Sequence, residues 1–244
     1  MKNDDHQIGR ILSRREALAL LGGTGVAMFL GCSREQSKQR SADSNLPCVV
    51  RPEQIEGPYF VDEMLNRSDI RSDPSNGTIK DGVPLRLTLN VSQVSGDTCV
   101  PLVGAIVDIW HCDALGIYSD VRDPGFNTLG QKFLRGYQVT DANGTVRFTT
   151  IYPGWYRGRT VHIHFKVRSD PKSDRSYEFT SQLYFNDSIT DRVHKQVPYS
   201  RKGQRTVRNN RDGIFRNGGD QLMLSLTQAN QGYEATFDIG LLIA

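Results

Sequence analysis

The chain has 244 residues, enough for a sizeable core within one domain, and a formal charge of only +3 from scattered basic residues. That balance offers no basic groove for a nucleic acid. Glycine is abundant at 23 residues, and the many turn signals favour short strands joined by loops.

Residues 1–32 stand apart from the rest. Ser13-Arg14-Arg15 precede fourteen uncharged residues, 17–30, and then Gly31-Cys32. The uncharged run is too short for a membrane-spanning helix but has the length of a signal-peptide core. SRRxxL resembles a twin-arginine export signal and FLGC a lipoprotein processing site, although Phe29 stands where leucine is commoner. Lipidation would fall on Cys32 and anchor an exported, periplasmic or membrane-attached protein; a freely released form is the alternative. Residues 33–45 are polar and read as a tether, which leaves 46–244 as the folded domain. In an oxidising compartment Cys48 and Cys99 are the expected disulfide pair, with Cys112 left over.

In chain order, residues 46–70 are turn-like (Pro47, Pro52, Gly57-Pro58) and predict an irregular arm across the core. Residues 85–91 alternate Leu85, Leu87, Leu89 and Val91 with polar positions and predict a strand. Residues 104–110 predict another, followed by a long loop, 111–130, that carries Tyr118. Asp141-Ala142-Asn143-Gly144 between 133–140 and 145–150 is a hairpin signal. A Pro/Gly-rich turn bearing Tyr156 leads into the alternating stretch 161–166, and 178–185 is strand-like again. Residues 187–219 are hard to read: 189–196 has the look of one short helix, and the Arg and Asn residues there have the chemistry to bind a carboxylate. Residues 221–227 and 233–241 predict two antiparallel strands closing the sheet. The expected fold is all-β, an antiparallel β-sandwich with long metal-binding loops and little helix; its edges and the arm each offer a surface for self-association.

The chemistry concentrates in YPGWYRGRTVHIHFK, residues 152–166. On a strand His162 and His164 share a face, roughly 6–7 Å apart at the backbone, close enough to converge on one metal ion. Tyr156 and Tyr118, each in a glycine turn, complete an N2O2 donor set. Phenolate ligates at neutral pH only to a strong Lewis acid, and Fe(III) fits that demand best, whereas zinc ordinarily recruits Cys, His or carboxylate. Spacing alone does not identify iron, because an H-x-H also lines the polar face of an ordinary strand. His111-Cys112 as a rival metal pair and Asp108 with Asp120 as a carboxylate pair have weaker claims. Dinucleotide, P-loop, zinc-protease and nucleophile-elbow motifs are absent from the sequence.

The ordered runs GAIVDIWHCDALGIYSD, RGYQVTDANGTVRFTTIYPGWY, RTVHIHFKV and TSQLYF, with GPYF upstream, resemble the intradiol ring-cleavage dioxygenases from about residue 50 onward. The resemblance implies a non-haem Fe(III) enzyme that opens a catechol-like aromatic between its two hydroxyls. Both atoms of O2 would end in a cis,cis-muconate-type product. It makes Tyr118, Tyr156, His162 and His164 the metal ligands, with Tyr156 the tyrosinate that substrate displaces. Arg159 would stabilise charge on the substrate, Gln182 would share its pocket, and Tyr59 would sit at the pocket mouth. Two departures are expected: the domain follows the tether without the helical domain of the catechol and hydroxyquinol branches, and 157–161 is too short for their usual insert, which predicts a more open pocket. The competing reading is a non-catalytic extracytoplasmic β-sandwich that binds a partner and keeps a structural metal site.

Overall fold

Period-two burial decides the first sheet. In β1 (Pro84–Ser95) Leu85, Leu87, Leu89 and Val91 are buried and Arg86 is exposed. The computed structural model describes residues 49–96, 98–172 and 176–243. β1 lies between β7 (Thr145–Ile151) and β11 (Gly232–Leu242), with β2 (Thr98–Pro101) beside its later half and β10 (Thr227–Ala229) outside β11. The second sheet runs in the order β6 (Arg135–Val139), β3 (Ile106–Trp110), β8 (His162–Arg168), β9 (Glu178–Tyr184), and β4 (Arg122–Asp123) with β5 (Phe126–Asn127) form a small ribbon. Both large sheets feed one apolar core: Leu87, Leu89, Phe148 and Phe237 from the first, Val107, Ile109, Ile163, Phe165 and Leu183 from the second. Burying each such side chain contributes about 1.5–3 kcal/mol. The fold is therefore mostly β, with one short α-helix among the described residues, α1 (Asp187–Val193), capped by Asn186, whose side chain accepts from Ser188 N.

Three expectations need correction. β1 and β11 pair in parallel, from Leu85 with Tyr233 to Val94 with Leu242, so the sandwich is not wholly antiparallel. Alternation fixes which face of a strand is buried but is blind to the direction of its neighbour. The turn at 141–144 exists, with the Asp141 carboxylate accepting from Asn143 N and Thr145 N. The strands it joins form no hairpin: β6 belongs to the second sheet and β7 to the first. Turn chemistry is local, whereas the choice of sheet is made by the core that each strand reaches. Finally, Gly219–Leu222 forms a 3-10 turn and only Thr227–Ala229 pairs as a strand, so most of 221–227 is not strand. The helix begins two residues, and ends three residues, earlier than expected. Residues 51–63 form no strand or helix, as the turn-like composition predicted.

Cys99 is disulfide-bonded and Cys112 is a buried free thiol. The expected partner Cys48, like Cys32 and the whole of 1–45, lies outside the described residues. Among the described residues no helix is long and apolar enough to cross a membrane.

Candidate metal centre

β8 is buried on both faces. Ile163, Phe165 and Val167 enter the core, and His162, His164 and Lys166 face the other way yet are equally shielded. The cover is the arm at 51–62. Gln182 Nε2 donates to Ile55 O at 2.9 Å, Phe60 packs on Trp110 with centroids 4.8 Å apart, and the Lys166 ammonium lies 4.2 Å over the Phe60 ring. Sheet register then assembles the neighbours: Gln182 and Trp110 flank His164 on either side, and Tyr184 lies beside His162. Trp110 stacks flat on the His164 imidazole, 4.9 Å between centroids.

The two histidines converge. Their Nε2 atoms are 3.0 Å apart. His162 Nδ1 lies 2.7 Å from Thr160 O; since a carbonyl only accepts, Nδ1 carries the proton and Nε2 is the unprotonated, accepting nitrogen. Burial pushes both imidazoles well below the usual histidine range, with the Arg159 charge adding to it, so both are neutral, as metal ligation requires.

The tyrosines come from two loops. Tyr156 Oη stands 3.4 Å from His162 Nε2. The Tyr118 ring meets that of Tyr156 edge-on at 5.5 Å, and its hydroxyl is buried without a hydrogen-bond partner. Burial and the adjacent Tyr156 hydroxyl raise Tyr118 well above the usual phenol range; burial pushes Tyr156 up to about 12, against the pull of Arg159. Neither phenol ionises easily unless a cation arrives to hold the phenolate. Among the described residues no group of three or more His, Cys, Asp or Glu gathers to hold a metal. Any metal at His162 and His164 must therefore draw on other donors, and an orphaned buried hydroxyl with a second one beside the imidazoles fits a phenolate-binding ion such as Fe(III).

Glycines let the loops meet. Gly116 has φ +78°, and a Cβ there would fall 2.1 Å from Trp155 O; a Cβ on Gly154 would fall 2.4 Å from Asp113 O. The backbones touch through Gly154 N donating to Asp113 O, 3.1 Å. Asp113 also accepts from Leu115 N and Ile117 N, and Thr128 Oγ1 donates to Tyr118 O at 2.6 Å. Gly116→Ala is expected to destabilise the protein by more than ~1 kcal/mol and to impair metal uptake by moving Tyr118. Urea unfolding and metal analysis check this, and wild-type values in both would refute it.

Arg159 is held between partners. Its Nε donates to Asp212 Oδ2 at 2.8 Å and its Nη2 to Gln182 Oε1 at 2.6 Å, while Nη1 lies 3.5 Å from His162 Nε2. Burial works against its charge, but Tyr156 and Asp212 outweigh that and raise its pKa. Tyr59 stacks on Tyr118 at 4.5 Å and donates its hydroxyl to Asp123 at 2.7 Å. A cleft of about 310 Å³ opens beside the tyrosines, walled by Tyr59, Ile117, Phe126 and Arg157 among others.

Every site residue expected in the domain thus lies in one cluster. Others were not anticipated: Asp212, Asp123 and Tyr184. Two of the arginines of 187–219 are engaged by carboxylates: Arg205 pairs with Asp187 and Asp191, and Arg208 with Asp191. His111 is engaged by Thr150 Oγ1 and Cys112 O, and the Cys112 thiol reaches Gly154 O, so they form no metal pair.

The structure is thus a mostly-β fold in which two imidazoles and two phenols gather, the phenols at the wall of an aromatic cleft. The family model described as Dioxygenase matches residues 55–241. The chain belongs to the intradiol ring-cleavage dioxygenase family. It is 33% identical to an intradiol ring-cleavage dioxygenase of Tetranychus urticae, with a TM-score of 0.68 over 80% of this chain and 95% of that one. It is 28% identical to a chlorocatechol 1,2-dioxygenase of Pseudomonas putida over 65% of this chain and 60% of the relative. A protocatechuate 3,4-dioxygenase beta chain of Burkholderia cepacia is 32% identical over 62% of this chain and 66% of the relative. The match to these two thus spans under two thirds of each.

Proposed function

We propose that this protein is a non-haem Fe(III) dioxygenase that opens a catechol-type ring between its two hydroxyls. Both atoms of O2 would enter a cis,cis-muconate-type diacid. The observation that carries the proposal is the convergence of His162, His164, Tyr156 and the unpartnered Tyr118 hydroxyl, the two tyrosines lining the cleft. These four would hold the iron. When bound, Fe(III) supplies the Lewis acidity that keeps a catechol ionised and the means of bringing it into reaction with O2.

The chain's residues supply the rest. Tyr156 Oη, which lines the cleft, is placed to take a substrate proton as the phenol re-forms, and its high intrinsic pKa favours that transfer. Arg159, a fixed cation that never changes protonation, faces the negative charge that develops on the ring. Tyr59 and Phe126 give the ring an apolar wall, and the Trp110 and Phe60 packing keeps water from the histidines. A purely structural metal site would be closed on all sides; the open cleft beside Tyr118 and Tyr156 favours catalysis. The test is oxygen uptake by iron-loaded protein with catechol, protocatechuate, hydroxyquinol and larger substituted catechols. One O2 consumed per ring-opened diacid is the expected result. No uptake with any of them, by fully loaded protein, would refute it.

A further inference from the structure

The buried carboxylate that no sequence motif pointed to is Asp212, just beyond the 3-10 turn Asn209–Arg211. Its side chain is fully shielded from solvent. Each oxygen serves two donors. Oδ2 accepts from Arg159 Nε at 2.8 Å and Thr160 N at 2.7 Å, and Oδ1 accepts from Ile214 N at 2.8 Å and Phe215 N at 3.0 Å. Burial opposes ionisation, but the N–H groups of Phe215 and Thr160 and the Arg159 charge more than offset it, so the group is an anion. Next to it, Thr160 Oγ1 donates to Asn209 Oδ1 at 2.6 Å, and Asn209 Nδ2 donates to Phe185 O.

We propose that Asp212 is a positioning residue for the reaction. It holds the Arg159 guanidinium with Nη1 turned to the histidine pair, and it fixes residue 160, whose carbonyl sets the tautomer of His162. The proposal rests on the iron dioxygenase reading above. Two of the three guanidinium nitrogens are committed: Nε to Asp212 and Nη2 to Gln182 Oε1. The glutamine is fixed in turn, because its Oε1 also accepts from Tyr184 Oη and its Nε2 donates to Ile55 O. That leaves Nη1, 3.5 Å from His162 Nε2, as the nitrogen directed into the site. A bridge between two rigid acceptors suits a planar fork and not a lysine. Because all four partners of Asp212 are donors, an asparagine turned either way sets its NH2 against two N–H groups. Asp212→Asn is therefore not a mild change.

The test compares wild type, Asp212→Asn, Arg159→Met and the double variant, all iron-loaded, with catechol as substrate. Asp212→Asn is expected to lower kcat ~10–100-fold, with KM changed less than threefold and iron per chain retained. In the Arg159→Met background it should cost distinctly less than in wild type, since the arginine is already gone and only the hold on residue 160 remains to be lost. A second readout needs no iron: in metal-free, 15N-labelled protein the Arg159 Nε–H signal should be slow to exchange with solvent, and Asp212→Asn should abolish that protection. Arg159→Lys leaves Asp212 intact but cannot bridge two acceptors, and should reproduce the kcat loss even if the Asp212 variant does not fold. Wild-type kcat in either Asp212→Asn or Arg159→Lys, or losses that simply multiply in the double variant, would overturn the proposal. An inactive wild type would count against the dioxygenase reading itself, and the exchange measurement would still decide whether Asp212 holds the arginine.

Discussion

His162→Ala is expected to lower iron affinity by more than ~100-fold and to abolish ring opening. The size follows from what the residue contributes. Removing a partner that only orients a ligand typically costs 10–100-fold in metal affinity, and removing a ligand itself costs more. Here the lost nitrogen is the one kept unprotonated by the Thr160 carbonyl's hold on Nδ1, 3.0 Å from its twin. The fold should survive: the His162 side chain points away from the main core, and alanine leaves Ile163, Phe165 and Val167 in place. Elemental analysis after dialysis against iron, beside thermal unfolding of the metal-free protein, separates the two effects. Undiminished iron content in a folded variant would remove His162 from the ligand set.

Arg159→Met should give the opposite signature, a bound metal and a slow enzyme. Losing one preorganised group aimed at developing charge commonly costs 10²–10³ in kcat. A fall of that order is expected in kcat, with iron retained and a smaller change in KM. The variant leaves Asp212 as a buried anion still bonded to three N–H groups, so some loss of stability accompanies it. Steady-state kinetics at saturating O2 checks this. A kcat within threefold of wild type would show that no charge at this position assists the reaction.

How much of this was legible in the sequence varied with the range of the interaction. The H-x-H alternation placed His162 and His164 on one face of a strand, and strand geometry carries that over short distances without help. The two tyrosine turns were legible as turns because glycine marks them. That Gly116 and Gly154 exist to let two backbones touch was not, since nothing local says which loops will meet. The turn at 141–144 was visible in Asp141 and Gly144, but the separation of β6 from β7 depends on core packing that four residues do not encode. Asp212 lies 53 residues from Arg159 in an arginine-rich stretch without periodicity; its role becomes visible only once β8 and β9 are folded beneath it. The parallel pairing of β1 with β11 spans most of the domain, and alternation is the same for either direction.

The account stands on one ion bound jointly by phenolates and imidazoles, and titration of metal-free protein with ferric iron tests that most directly. Binding is expected to saturate at one iron per chain and to produce a visible phenolate-to-iron charge-transfer band, whose resonance Raman spectrum contains tyrosine ring vibrations. Tyr118→Phe should shift that band and weaken binding. Iron that binds without colour, or a band and affinity unchanged by Tyr118→Phe, would contradict it.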